Sequence, residues 1–193
     1  MPPGNVRSSA RAGGPRPRDS LACARVRPTL PAVTNGNSWS DAWFLAAAQS
    51  AGHRRASLAD IIGQGDYINH AIFTVKEIEH AVRRLVPGGL LGVEAPDAFR
   101  VTSAGQALVR QATRGLRAWP PVIDRLTTAI DAAVPSQSAG LLAGWTLDVG
   151  LYEGACLRHH EEVRSFERLP GLVRAVVISF WVLVIKVWQV LRR

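Results

Sequence analysis

The chain has 193 residues, 47% of them hydrophobic, and a formal net charge of +8. That is room for one domain of ordinary size with extensions, and enough apolar material for a packed core, which excludes a wholly disordered chain. The basic balance points to nucleic acid or an anionic membrane, but it is unevenly placed: residues 1–39 carry six Arg against Asp19 (net +5), residues 40–114 eight basic and seven acidic side chains (net +1), and residues 115–193 nine and seven (net +2).

Residues 1–37 are rich in Pro, Gly, Ser and Arg and have almost no apolar periodicity. Such a segment cannot bury enough surface to offset its ordering entropy, so it is expected to be a disordered, Arg-rich arm. A solvated tail, a nucleic-acid arm and a targeting segment all fit its composition. Arg outnumbers Lys 21 to 2, as GC-rich coding produces, so part of the basicity carries no information about a ligand. Cys23 and Cys156 are too few and too distant for a disulfide framework or a cysteine zinc site, which fits a cytoplasmic location.

Helical signals begin at Ser38-Trp39-Ser40-Asp41, where Ser38 or Ser40 can cap a helix that Gly52 stops. Phe44, Leu45 and Ala48 give it one apolar stripe. Ser57 opens a second helix, with Asp60 in the capping-box position and Leu58, Ile61 and Ile62 at helical spacing; Gly63 and Gly65 weaken it. Thr74-Val75-Lys76-Glu77 is a clear capping box, and Val75, Ile78, Val82, Leu85 and Val86 form the stripe of a third helix that Pro87-Gly88-Gly89 ends. Leu90–Val93 and Phe99–Thr102 read as two strands joined by the turn Ala95-Pro96-Asp97. Thr102 or Ser103 then caps a helix to about Arg114.

Three helices, a two-stranded hairpin and a further helix can bury one another's apolar faces within residues 38–115. The residues Asp66–Thr74, Glu77, Leu85, Gly89-Leu90-Leu91 and Phe99-Arg100-Val101-Thr102-Ser103-Ala104-Gly105 resemble bacterial winged helix-turn-helix proteins of the MarR-like and PadR-like kind, over about 75 residues. The resemblance implies a mainly α fold with a hairpin wing and, as function, a non-enzymatic DNA-binding transcriptional regulator. The expected core is Phe44, Leu45, Leu58, Ile61, Ile62, Ile68, Ile72, Val75, Ile78, Val82, Leu85, Leu90, Leu91, Phe99, Val101 and Leu108. A helical extension follows over 116–169: Pro120-Pro121 precede a helix with Ile123, Leu126, Ile130 and Val134 on one face, Pro135–Gly144 is a loop, and Leu147–Leu169 is a last helix.

If the third helix enters a major groove, Lys76, Arg83 and Arg84 are its candidate DNA contacts, with Arg100 from the wing. Glu77 and Glu79 on the same helix, and Glu94 and Asp97 on the wing, oppose phosphate. The alternative is a winged helix used for protein contact or homodimerisation, since fold does not fix function. Asp66, Asn69 and His70 have the chemistry of a metal or proton-transfer group, but short polar side chains before a helix ordinarily satisfy loose backbone groups. His159-His160-Glu161-Glu162 lacks metal-ligand spacing and reads as a solvated helix face. Gly63-Gln64-Gly65 lacks the third glycine or the Gly-Lys of a nucleotide loop, and Ser103 has no partner base. No catalytic residue, metal site or cofactor site is therefore assigned.

Residues 170–193 form a hydrophobic tail. Leu172–Leu191 is 20 residues long, nearly unbroken, with Arg174 and Lys186 toward its ends, indoles at Trp181 and Trp188, and Arg192-Arg193 after it. It is expected to be helical, separated from the preceding helix by Pro170-Gly171 and not packed on the core. Its cover is a membrane, a partner chain or a second copy.

Overall fold

A computed structural model of the chain describes residues 38–52, 55–134, 142, 144–168, 170, 171, 173, 176 and 179. Among them are six helices and a small three-stranded antiparallel sheet, so the chain is mainly helical. The expected arm at 1–37 lies outside the described residues, as do most of the loop at 135–144 and most of the tail.

Helix α1 (Ser38–Ala51) is the hub. Every residue from Ala42 to Ala48 is buried, which is more than the single stripe Phe44, Leu45 and Ala48. Alanines at 42, 46, 47 and 48 let neighbours approach from all sides, and α2, α3, α4, α5 and the sheet all pack on this helix. A short strand β1 (Ala56–Ser57), too brief to leave a periodic signal, precedes α2 (Leu58–Asn69). Ser57 closes β1 and also caps α2 through the Ser57–Asp60 capping box.

Gly63 and Gly65 do not interrupt α2, because tertiary contact decides there. A Cβ on Gly65 would lie 2.3 Å from the Phe73 ring, and the Gly65 carbonyl accepts a bond from Trp43 Nε1 at 3.1 Å. The glycine lets Trp43 and Phe73 stack with ring centroids 3.7 Å apart. His70 ends the helix in the left-handed region (φ 51°), its N–H donating to the Asp66 carbonyl.

Helix α3 (Val75–Leu85) opens on the Thr74–Glu77 capping box read from sequence. Beyond it Gly89 takes φ 69°, and strands β2 (Leu91–Ala95) and β3 (Ala98–Val101) form a hairpin with a bulge between Val93 and Ala95. The sheet order is β1-β3-β2, with Ala56 opposite Phe99 and Leu91 opposite Val101. Thr102 rather than Ser103 caps α4 (Ser103–Thr113), accepting from Gly105 N and donating to the Gly89 carbonyl. Gly105 is required for close approach, since a Cβ there would meet the Leu90 carbonyl oxygen at 2.3 Å.

Helix α5 (Trp119–Ala133) holds Pro120 and Pro121 in its first turn rather than ahead of it, where their missing N–H groups cost nothing. Helix α6 (Val149–Glu167) is capped by Asp148. Val122, Ile123, Leu126, Ile130 and Val134 from the α5 region, Leu147, and Ala155 and Cys156 from α6 share one buried cluster with α1–α4. Of the expected core, Ile72, Val75 and Leu108 are only partly buried; the other thirteen are buried. No helix among the described residues is long and apolar enough to cross a membrane. Within Leu172–Leu191 only Val173, Val176 and Ser179 are described; all three are helical and exposed.

Replacing Gly65 with Ala sets two effects against each other. Alanine's helix propensity favours the variant by about 1 kcal/mol, while driving a methyl into the Phe73 ring costs about 1–3 kcal/mol. Overpacking wins, so Gly65→Ala lowers the urea midpoint. Gly63→Ala, whose Cβ would meet only the His159 ring at 3.3 Å, leaves the midpoint unchanged or raises it.

Candidate functional site

Apart from the capping Glu77, the polar side chains of α3 go to three destinations: solvent, the segment between α5 and α6, and the carboxylates of Asp41 and Asp131. Lys76, in the first turn, is exposed. Glu79 and Arg83, one turn apart, grip the segment between α5 and α6. The Arg83 guanidinium donates to the Trp145 carbonyl from Nε (2.8 Å) and Nη2 (2.6 Å), Glu79 accepts from the Leu147 N–H at 3.1 Å, and the two side chains bond each other at 3.3 Å. A cation held on a carbonyl and an anion held on an amide make a two-point clamp, each bond strengthened by charge.

Arg84 turns to the interior, and His80, with its ring about a third exposed, reaches the same carboxylate. Asp41 of α1 is 0% exposed, and its two oxygens are divided between them: Oδ1 meets His80 Nδ1 at 2.8 Å and Oδ2 accepts from Arg84 Nη1 at 3.1 Å. Arg84 Nη2 donates to Asp131 of α5 at 2.6 Å. Burial works against the Arg84 charge, but the hydrogen bonds to Asp131 and Asp41 and the charges of both carboxylates outweigh it, so its pKa is raised above the ordinary arginine value. Arg84 is thus a permanent internal cation joining α1, α3 and α5.

Of the four side chains expected to touch DNA, then, Arg84 is buried at 9% exposure, Arg83 is turned onto a backbone carbonyl, and Arg100 on β3 pairs with Glu94 on β2. They do not form one continuous basic face. Lys76 and Arg100 remain at the surface on separate elements.

The sequence-level suspects resolve into structure. Asp66 Oδ2 accepts a hydrogen bond from His159 Nε2 at 3.1 Å, joining α2 to α6, and His70 serves as the left-handed end of α2. His159 is buried, contrary to the solvated face expected for 159–162, because its side of α6 docks on α2 beside Gly63; Glu161 and Glu162 are exposed as expected. Gly63-Gln64-Gly65 lies within α2, and Ser103 is the first residue of α4. Among the described residues no group of three or more His, Cys, Asp or Glu side chains converges as a metal site would require.

A different feature emerges beside the hairpin. A groove of about 420 Å³ runs between Val93, Glu94, Ala95 and Pro96 on one wall and Trp145, Thr146, Asp148 and Leu151 on the other. Its second wall is set by the clamp, since Arg83 and Glu79 fix residues 145–147 and Trp145 packs edge-on to Phe99 at 6.4 Å. β2, which borders it, is an edge strand of the sheet. Local patterns in the sequence do not show this groove, because its walls lie about 50 residues apart with β3, α4 and α5 between them. No family model, curated protein or solved structure matches the chain.

Two outcomes test this account of α3. Arg84→Met leaves Asp41 buried without its cation and should cost about 3–5 kcal/mol in urea unfolding, while adding Asp41→Leu to it recovers part of that loss. Arg83→Ala, at a half-buried site, should cost about 1 kcal/mol and speed proteolytic cleavage around Trp145–Leu147 in the native protein.

Proposed function

We propose that the chain is a non-enzymatic winged-helix module that acts by contacting another protein, and not a reader of DNA through its third helix. The winged-helix assignment is supported by the element order α1-β1-α2-α3-β2-β3-α4, with β1 pairing on the hairpin and the Thr102–Gly105 turn following it. One observation carries the choice of ligand: the face of α3 that would carry Arg83 and Arg84 to a groove is already occupied by residues 145–147, Asp41 and Asp131. Exposing it would require breaking a buried ion pair, which costs several kcal/mol.

The contact surface of this reading is the groove between the hairpin and residues 145–151. Its occupant is an extended, apolar segment of a partner. The free edge of β2 offers backbone pairing, and Val93, Pro96, Trp145 and Leu151 offer apolar contact, while Glu94 is paired with Arg100 and Asp148 caps α6.

The rival is a regulator of the MarR-like or PadR-like kind, and DNA binding separates the two. The full chain should retain genomic fragments only weakly, steeply with salt and without sequence preference, as the Arg-rich residues 1–37 alone would produce. Sequence-selective retention that falls on Lys76→Ala with Arg100→Ala would establish the regulator instead. As the positive arm, a photo-crosslinking residue at Val93 should capture a partner chain that the same residue at Tyr67, an exposed site on α2, does not. Equal capture at both positions, or none at Val93, removes the groove from consideration.

A further inference from the structure

We propose that the end of α6 and the residues after it dock on an anionic lipid bilayer. The starting observation is an apolar stripe that outruns its cover. Along α6, Tyr152, Ala155, Cys156 and His159 recur at helical spacing and face the core. The same spacing continues to Val163 and Phe166, where the cover thins: these side chains are 38% and 37% exposed. Val173 and Val176, further on, are 43% and 67% exposed.

What covers this stripe is decided by the composition that follows it. After Glu167 the sequence has no acidic residue, five basic ones (Arg168, Arg174, Lys186, Arg192 and Arg193), and the apolar run Leu172–Leu191 with indoles at Trp181 and Trp188. A second copy of the chain would satisfy the apolar run but not the charge. Pairing two copies brings together two such segments, each with five cations and no acidic side chain after Glu167. A phospholipid surface supplies hydrocarbon for the run, an interface for the indoles and phosphate for the cations. Each basic residue held near an anionic leaflet strengthens binding about fivefold, so an anionic bilayer is preferred over a neutral one.

The inference is independent of the groove, which lies with the hairpin. It is tested on the full chain by co-sedimentation with vesicles of phosphatidylcholine mixed with phosphatidylglycerol, and of phosphatidylcholine alone. The chain should pellet with the mixed vesicles at least about tenfold more strongly at low salt. Phe180→Asp with Val184→Asp, in the apolar run outside residues 38–168, should abolish pelleting and leave the urea midpoint unchanged. Three results overturn the proposal: the chain stays in the supernatant with both vesicle types; it sediments as a dimer without vesicles and pellets with neither, making the second copy the occupant; or pelleting survives the double substitution, placing lipid binding in the basic residues 1–37.

Discussion

A carboxylate removed completely from water must be matched, and Asp41 is such a group. It lies in the first turn of the helix around which everything else packs, so its partners fix where the surrounding elements go. His80 and Arg84 bring α3 against α1, and Arg84 extends the link to Asp131 on α5. Charge is conserved along the chain of contacts as anion, cation, anion, with the outer carboxylate half-exposed and able to draw on solvent. The arrangement contributes little net stability compared with an apolar substitute of the same shape, but it penalises any packing in which α3 or α5 is displaced, because a displaced helix strands a charge in the interior.

That constraint sets the surface the protein can present. Once His80 and Arg84 engage Asp41, the adjoining ridge of α3, Glu79 and Arg83, is left facing the chain between α5 and α6 and clamps it through two backbone groups. The clamp seats Trp145 on Phe99, joining the aromatic series that runs from Trp43 through Phe73 and Phe44. The groove beside the hairpin is a by-product of this seating, for its second wall is the clamped segment. Basic side chains that look like ligand contacts on a helical wheel are thereby spent on assembly.

Glycines do comparable work where two elements must touch. Gly65 lets the Trp43–Phe73 stack lie against α2, Gly88 lies where a Cβ would strike Val134, and Gly105 lets α4 start against the Leu90 carbonyl. Each lies at a junction between an element and its neighbour, and each replaces a possible side-chain contact with backbone proximity. The Val-Thr-Ser-Ala-Gly run after the hairpin has its physical meaning here: Thr102 caps the helix and ties back to Gly89, and the glycine three residues on leaves room for the strand to pass.

The sequence by itself determined what depends on neighbours three or four residues away. The boxes Ser57–Asp60 and Thr74–Glu77, the cap at Thr102, the end of α3 ahead of Pro87-Gly88-Gly89 and the hairpin around Pro96 are local, and they form as local chemistry dictates. The apolar stripe of α3 likewise named its buried side at Ile78, Val82 and Leu85. The tertiary structure decided whatever depends on a partner far along the chain: Arg84 meets residues 43 and 47 positions away, Arg83 one 62 away, and His159 one 93 away. It also decided that α1 is covered on every side, that a two-residue strand joins the hairpin, and that α5 and α6 complete the core. Periodicity tells which side of a helix avoids water, but the polar side of α3 reads the same whether it faces solvent, a nucleic acid or a clamped segment of its own chain. Only the positions of Asp41, Asp131 and Trp145 distinguish these, and no local pattern encodes them.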